Sequence, residues 1–210
     1  MAGSNGDIRT LLGGTRVVPV IVLEDAGQAV ELARTLCAAG LPALEITLRT
    51  DAAAQAIRRI AGEVPEAVVG AGSVRSAAHL RECVEAGAQF AVSPGASPGL
   101  LDAADDTAVP LVPGAATASE VMRLLERGYV LQKFFPAEGA GGTAMLNALG
   151  APLPEARFFP TGGVTETLAR EYLALPNVDC VGGSWIAPTA LLAAGDFAAI
   201  GRLASAAAAL

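Results

Sequence analysis

Eight short runs of β-branched and apolar residues recur along the chain, with helical stretches between them. The runs are Val17–Leu23, Ala43–Leu48, Ala67–Val74, Gln89–Pro94, Val109–Ala115, Tyr129–Pro136, Arg157–Gly163 and Val178–Trp185. Ala/Leu-rich patterning fills the intervals, as in Ala26–Ala39, Asp51–Ala61, Ser76–Ala86, Ala118–Arg127 and Glu166–Ala174. Over 210 residues the recurrence is about 26 residues, enough for a strand, a helix and two short loops. Strict alternation of this kind points to an α/β fold with a parallel sheet. Eight units predict a single (β/α)8 TIM barrel over residues 1–210, preceded by a short N-terminal helix around Asn5–Gly13 that covers its lower mouth. A doubly wound open sheet is the competing architecture. No Ser/Gly/Pro linker or charge run divides the chain, so one domain is expected.

Composition narrows the function classes. At 52% hydrophobic and 17% charged, the chain can bury a large core and is not disordered. Its longest charge-free runs are broken by Gly and Pro and are too short to span a bilayer, so no membrane partner is expected. A net charge of −7 argues against nucleic acid, because phosphate neutralisation needs a basic face. Three cysteines at no metal-like spacing point to a reducing compartment. Residues 1–10 show no basic segment followed by an apolar core, and a cytoplasmic location is expected.

The rare residues say more. There is one histidine, His79, and one lysine, Lys133, beside thirteen arginines. A single imidazole disfavours a zinc site and metal-dependent aldol chemistry, so no metal and no cofactor is expected. A chain that uses Arg for almost every surface cation has kept Lys at one place. Arg stays charged in a protein, whereas Lys can become a neutral amine nucleophile.

Strand periodicity places the candidate groups. In the second run, Leu44, Ile46 and Leu48 share one face, and Glu45, Thr47 and Arg49 share the other. In a barrel the apolar face meets the helices, so the polar set points inward or toward the mouth. A buried carboxylate and guanidinium need partners there. Either they pair with each other, or Glu45 is an acid/base group and Arg49 clamps an anion. Lys133 shares its face with Leu131 and Phe135, where an ammonium is poorly solvated and its charged form disfavoured. A buried Lys133–Glu45 salt bridge and Schiff-base catalysis are the two readings of that position. The seventh and eighth runs close on Gly162–Gly163 and on Gly182–Ser184, in the two loops where this fold recurrently binds phosphate. Pro94–Gly95 and Pro113–Gly114 read as tight turns, and His79 as a helix-surface residue.

These blocks resemble a known family. Val17–Val22 (VVPVIV), Leu44–Thr50 (LEITLRT), Val69–Ser73 (VGAGS), Phe90–Gly95 (FAVSPG), Lys133–Glu138 (KFFPAE), Phe159–Gly163 (FPTGG) and Gly182–Trp185 (GGSW) are similar to 2-keto-3-deoxy-6-phosphogluconate (KDPG) aldolase, also described as 4-hydroxy-2-oxoglutarate aldolase. The resemblance runs from about Leu12 to Ala199 and implies a metal-free class I aldolase that assembles as a homotrimer. Its substrate would be a keto-acid sugar phosphate. It places the Schiff-base lysine on Lys133, the acid/base glutamate on Glu45 and the carboxylate-binding arginine on Arg49. The hydroxyl after the third strand falls on Ser73, where most members have Thr. Pro94, Phe135 and Thr161 take substrate contacts, and Gly162, Gly163, Gly183 and Ser184 the phosphate. An aldolase for the galactonate-derived epimer is the nearest alternative. A sugar-phosphate isomerase, epimerase or sensor lies in a different class and would not need Lys133 as nucleophile.

Overall fold

The computed structural model describes residues 6–210. The leading helix, α1, spans Gly6–Leu11, and Asn5, which the sequence reading included in it, lies outside the described residues. Strands then fall inside every one of the eight expected runs. They are β1 (Val17–Ile21), β2 (Ala43–Thr47), β3 (Val68–Gly72), β4 (Phe90–Val92), β5 (Leu111–Val112), β6 (Gly114–Ala115), β7 (Leu131–Phe134), β8 (Arg157–Pro160) and β9 (Val181–Gly183). The fifth run, expected as one strand, is broken at Pro113. Proline has no N–H for a ladder, although its carbonyl still accepts from the Lys133 N–H at 2.9 Å.

The result is an α/β fold on a curled parallel sheet. Six strands hydrogen-bond in the order β5-β4-β3-β2-β1-β9, and three more in the order β6-β7-β8. Isolated parallel bridges, Phe158–Val178 and Thr161–Gly182, link the β8 and β9 segments. Helices α2 (Ala29–Ala38), α3 (Ala53–Glu63), α4 (Ala77–Ala86), α5 (Pro98–Asp105), α6 (Ala118–Glu126), α7 (Gly142–Gly150), α8 (Glu166–Leu173), α9 (Thr189–Ala194) and α10 (Phe197–Ala208) follow the strands. Several start on side-chain caps. Ser76 accepts from the His79 N–H, Thr165 from the Leu168 N–H, and Thr117 forms a capping box with Glu120. Among the described residues no helix is long and apolar enough to cross a membrane.

Two apolar clusters show which way each strand faces. Leu44 and Ile46 of β2, Phe134 of β7 and Phe158 of β8 pack in the larger cluster, with residues of the helices such as Leu32, Ile57, Leu124 and Tyr172. The residues one step out of phase, Ala43, Leu131 and Phe159, belong to a second cluster with Val18, Phe90, Val92, Val112 and Cys180. Ile8 and Leu12 join it, so α1 packs against the N-terminal ends of the strands, as expected. Here β3 contributes Gly70, because a Cβ there would lie 2.3 Å from the Phe90 ring. The inner face is therefore closed by hydrocarbon at its lower end. Above that layer the same strand faces continue with Glu45, Lys133 and Thr161, and the site begins there.

Candidate active site

A cavity of about 230 Å³ opens at the C-terminal ends of the strands. Lys133, Glu45, Arg49, Ser73, Pro94 and Phe135 line it, and so do Thr161, Gly162, Gly163 and Ser184. Period-two alternation explains the convergence: Glu45 stands two residues beyond Ala43, Lys133 two beyond Leu131, and Thr161 two beyond Phe159. Glu45, Thr47, Lys133 and Thr161 are buried at the floor. Arg49, Gly163 and Ser184 are exposed at the rim. The Glu45–Arg49 pair weighed from sequence is not what forms. Arg49 donates from Nε to Thr47 Oγ1 at 3.1 Å.

The pair that does form is Lys133 Nζ to Glu45 Oε1, at 3.4 Å. Glu45 is 0% exposed and Lys133 5%. A buried ion pair stabilises a fold only when its geometry is excellent and its remaining donors and acceptors are bonded. This one has a single long contact, and Glu45 Oε2 is buried with no hydrogen-bond partner. Lys133 Nζ also lies 5.4 Å from the centroid of the Phe135 ring. The arrangement is poor as a structural brace and faces an open cavity. The carboxylate occupies the space over β3, since a Cβ at Gly72 would stand 1.9 Å from Glu45 Oε1.

The remaining wall is set by backbone. Ser73 has φ +58°, in the left-handed region where an unbranched side chain is less crowded than a β-branched one. Gly162 and Gly163 have φ +101° and +80°, which glycine adopts without strain. The loop after β7 holds this turn through Ala137 N–H to Thr161 O at 2.8 Å and Glu138 N–H to Gly162 O at 3.1 Å. Beyond the turn, Thr165 caps α8. Gly183 is not part of the cavity wall, because its α-carbon is covered by Trp185, whose ring would lie 2.2 Å from a Cβ. Its neighbour Gly182 lines the cavity in its place, and Val20, Thr47 and Val164 were also not singled out as site residues. Val20 had a readable signal, being two residues along β1 from inward-facing Val18.

Other nucleophiles are remote or quenched. Burial pushes the Cys37 thiol up to about 11 and the Cys83 thiol up to about 12, and raises that of Cys180 further. None of the three lines the cavity. His79 sits in the first turn of α4, where its Nδ1 accepts from the Arg75 N–H at 3.3 Å.

Comparison with known proteins agrees with this geometry. The family model described as "Aldolase: KDPG and KHG aldolase" matches residues 8–203. A 2-dehydro-3-deoxy-phosphogluconate aldolase of Pseudoalteromonas atlantica is 50% identical over 188 residues, covering 90% of this chain and 87% of the relative. The KHG/KDPG aldolase of Escherichia coli K12 is likewise 50% identical over 188 residues, covering 90% of this chain and 88% of its own. A KDPG aldolase from Legionella pneumophila, solved with pyruvate captured at low pH as a covalent carbinolamine intermediate, superposes with a TM-score of 0.92. It is 41% identical and is matched over 94% of this chain and 96% of that one.

Proposed function

The chain belongs to the KDPG and KHG aldolase family, and we propose that its cavity cleaves KDPG to pyruvate and glyceraldehyde 3-phosphate through an imine on Lys133. Cleavage of 4-hydroxy-2-oxoglutarate to pyruvate and glyoxylate is part of the same reading. The protein is an aldolase, and hence a lyase. The observation that carries the mechanism is the single-contact buried pair of Lys133 and Glu45, open to a cavity that also holds Arg49.

In the proposed sequence, the Lys133 amine adds to the C2 ketone, and the carbinolamine loses water to give a protonated imine. Glu45, through a water, removes the C4 hydroxyl proton. The C3–C4 electron pair moves into the C2–C3 bond, the aldehyde leaves, and the imine nitrogen takes up the charge as an enamine. Protonation at C3 gives the pyruvate imine, and hydrolysis frees pyruvate and the amine. Arg49 would hold the C1 carboxylate in its planar fork, and Ser73 and Pro94 would flank the same end. Phe135 would pack on the imine, and Thr161 would contact the hydroxylated chain. Gly162, Gly163, Gly183 and Ser184 would hold the phosphate through backbone N–H groups and a hydroxyl at the rim.

A closed eight-stranded barrel forming one domain over residues 1–210 is the architecture we favour. It is supported by the bridges between the β8 and β9 segments, by the contiguity of β5 and β6 across Pro113, and by an inner cluster fed from both sheets. A homotrimer in the cytoplasm, with no nucleic-acid or membrane partner, completes the proposal; family resemblance and the acidic charge support it.

The phosphate end gives a direct test. Gly163→Val places a branched side chain at φ +80°, where a Cβ already meets the Glu138 side chain at 2.8 Å. The expected loss of cleavage is at least about tenfold greater for KDPG than for 4-hydroxy-2-oxoglutarate, which has no phosphate. Equal losses in kcat/KM on both substrates contradict the cradle.

A further inference from the structure

Thr47 has its hydrogen bonding dictated by its neighbours. Its Oγ1 lies 2.9 Å from the Ile21 carbonyl oxygen and 3.1 Å from Arg49 Nε. A carbonyl oxygen only accepts, and a guanidinium N–H only donates. The single hydroxyl hydrogen is therefore committed to Ile21, and an Oγ1 lone pair receives the Arg49 Nε–H. Thr47 is 1% exposed and β-branched, so this acceptor has little freedom to turn. Arg49 is the opposite case, an exposed long side chain at the rim whose rotamer freedom is costly to lose on binding.

We propose that Thr47 is a positioning residue for carboxylate recognition. By holding the Nε edge of Arg49 at the end of β2, through a hydroxyl that is itself tied to Ile21 of β1, it leaves the two terminal amino groups free to form the fork that meets the keto-acid carboxylate. The inference rests on the reading of Arg49 as the carboxylate clamp. It requires an oxygen at position 47 that donates in one direction and accepts in the other. Serine satisfies that requirement, and valine, of nearly the same shape, does not.

A double-mutant cycle tests it, read as the pyruvate concentration that half-saturates borohydride trapping and as KM and kcat for KDPG cleavage. Thr47→Val is expected to raise the half-saturating pyruvate concentration and KM about fivefold to tenfold, with kcat much less affected. Thr47→Ser should stay within about twofold of the parent, and Thr47→Val added to Arg49→Ala should cost nothing further, because the clamp it serves is gone. If Thr47→Val does not fold, Thr47→Ala replaces it in the same cycle. Additive losses in the Arg49→Ala background, or a Thr47→Ser variant as impaired as Thr47→Val, overturn the proposal while leaving Arg49 as clamp. An Arg49→Ala variant with unchanged pyruvate saturation overturns the clamp reading itself, and this proposal with it.

Discussion

Lys133→Arg is expected to fold normally and to lose KDPG cleavage by several orders of magnitude. The substitution keeps the positive charge opposite Glu45 and much of the side-chain length, so the buried carboxylate keeps its counter-ion. It removes one property, the ability to lose a proton and attack a carbonyl. Covalent catalysis is lost as a unit when its nucleophile goes, which is why the expected effect far exceeds that of a lost hydrogen bond. The chain has no second lysine to take over. The three thiols are raised by burial and stand outside the cavity, so they offer no substitute. Steady-state cleavage rates beside a circular-dichroism melt check this prediction. A folded variant with near-parental turnover would make Lys133 a structural cation.

Glu45→Gln is expected to separate imine formation from carbon–carbon cleavage. The amide keeps the shape of a group that is 0% exposed, and Gly72 leaves the same space for it. It cannot take or return a proton, and general acid–base steps of this kind contribute about 10²- to 10⁴-fold. Nothing in the substitution hinders the Lys133 amine from adding to a ketone. KDPG cleavage should therefore fall by about that factor, and so should exchange of the pyruvate methyl protons with deuterated water. Trapping of pyruvate by borohydride should persist. Proton NMR of pyruvate follows the exchange directly. An exchange rate unchanged in Glu45→Gln would assign the proton transfers to another group.

Much of this fold is written in strand period. The alternation Leu44, Ile46 against Glu45, Thr47 is visible because one face of β2 meets the helices and the other does not. The same reasoning put Lys133 on the face of Leu131, and the structure has Leu131 in the inner cluster directly below it. Local sequence could not reveal which of two partners Glu45 would take, because Lys133 lies 88 residues away and Arg49 only four. The contact joins β2 to β7, strands of different sheets that do not pair with each other, so only the curling of the fold brings the two side chains together. Pro113 was visible, but whether it interrupts a ladder depends on the strands beside it. The two glycines of β9 look alike in sequence, and only their neighbours tell them apart: the α-carbon of Gly182 faces Thr161 and Phe159, and that of Gly183 faces Trp185. Helices α5 and α7 carry their start signals in a Ser97–Pro98 cap and a left-handed Gly141, which are less conspicuous than an amphipathic stripe. Sequence thus indicated chemistry wherever a residue type was rare or out of phase. It was silent where a neighbour distant in the chain made the choice.

The most direct measurement is borohydride reduction of the unmodified protein in the presence of pyruvate, followed by peptide mass analysis. One stable adduct per chain is predicted, on the peptide carrying Lys133, with loss of activity in proportion to labelling and no dependence on added or chelated metal. Full retention of aldolase activity without an adduct, or an adduct on any other residue, would contradict the imine mechanism.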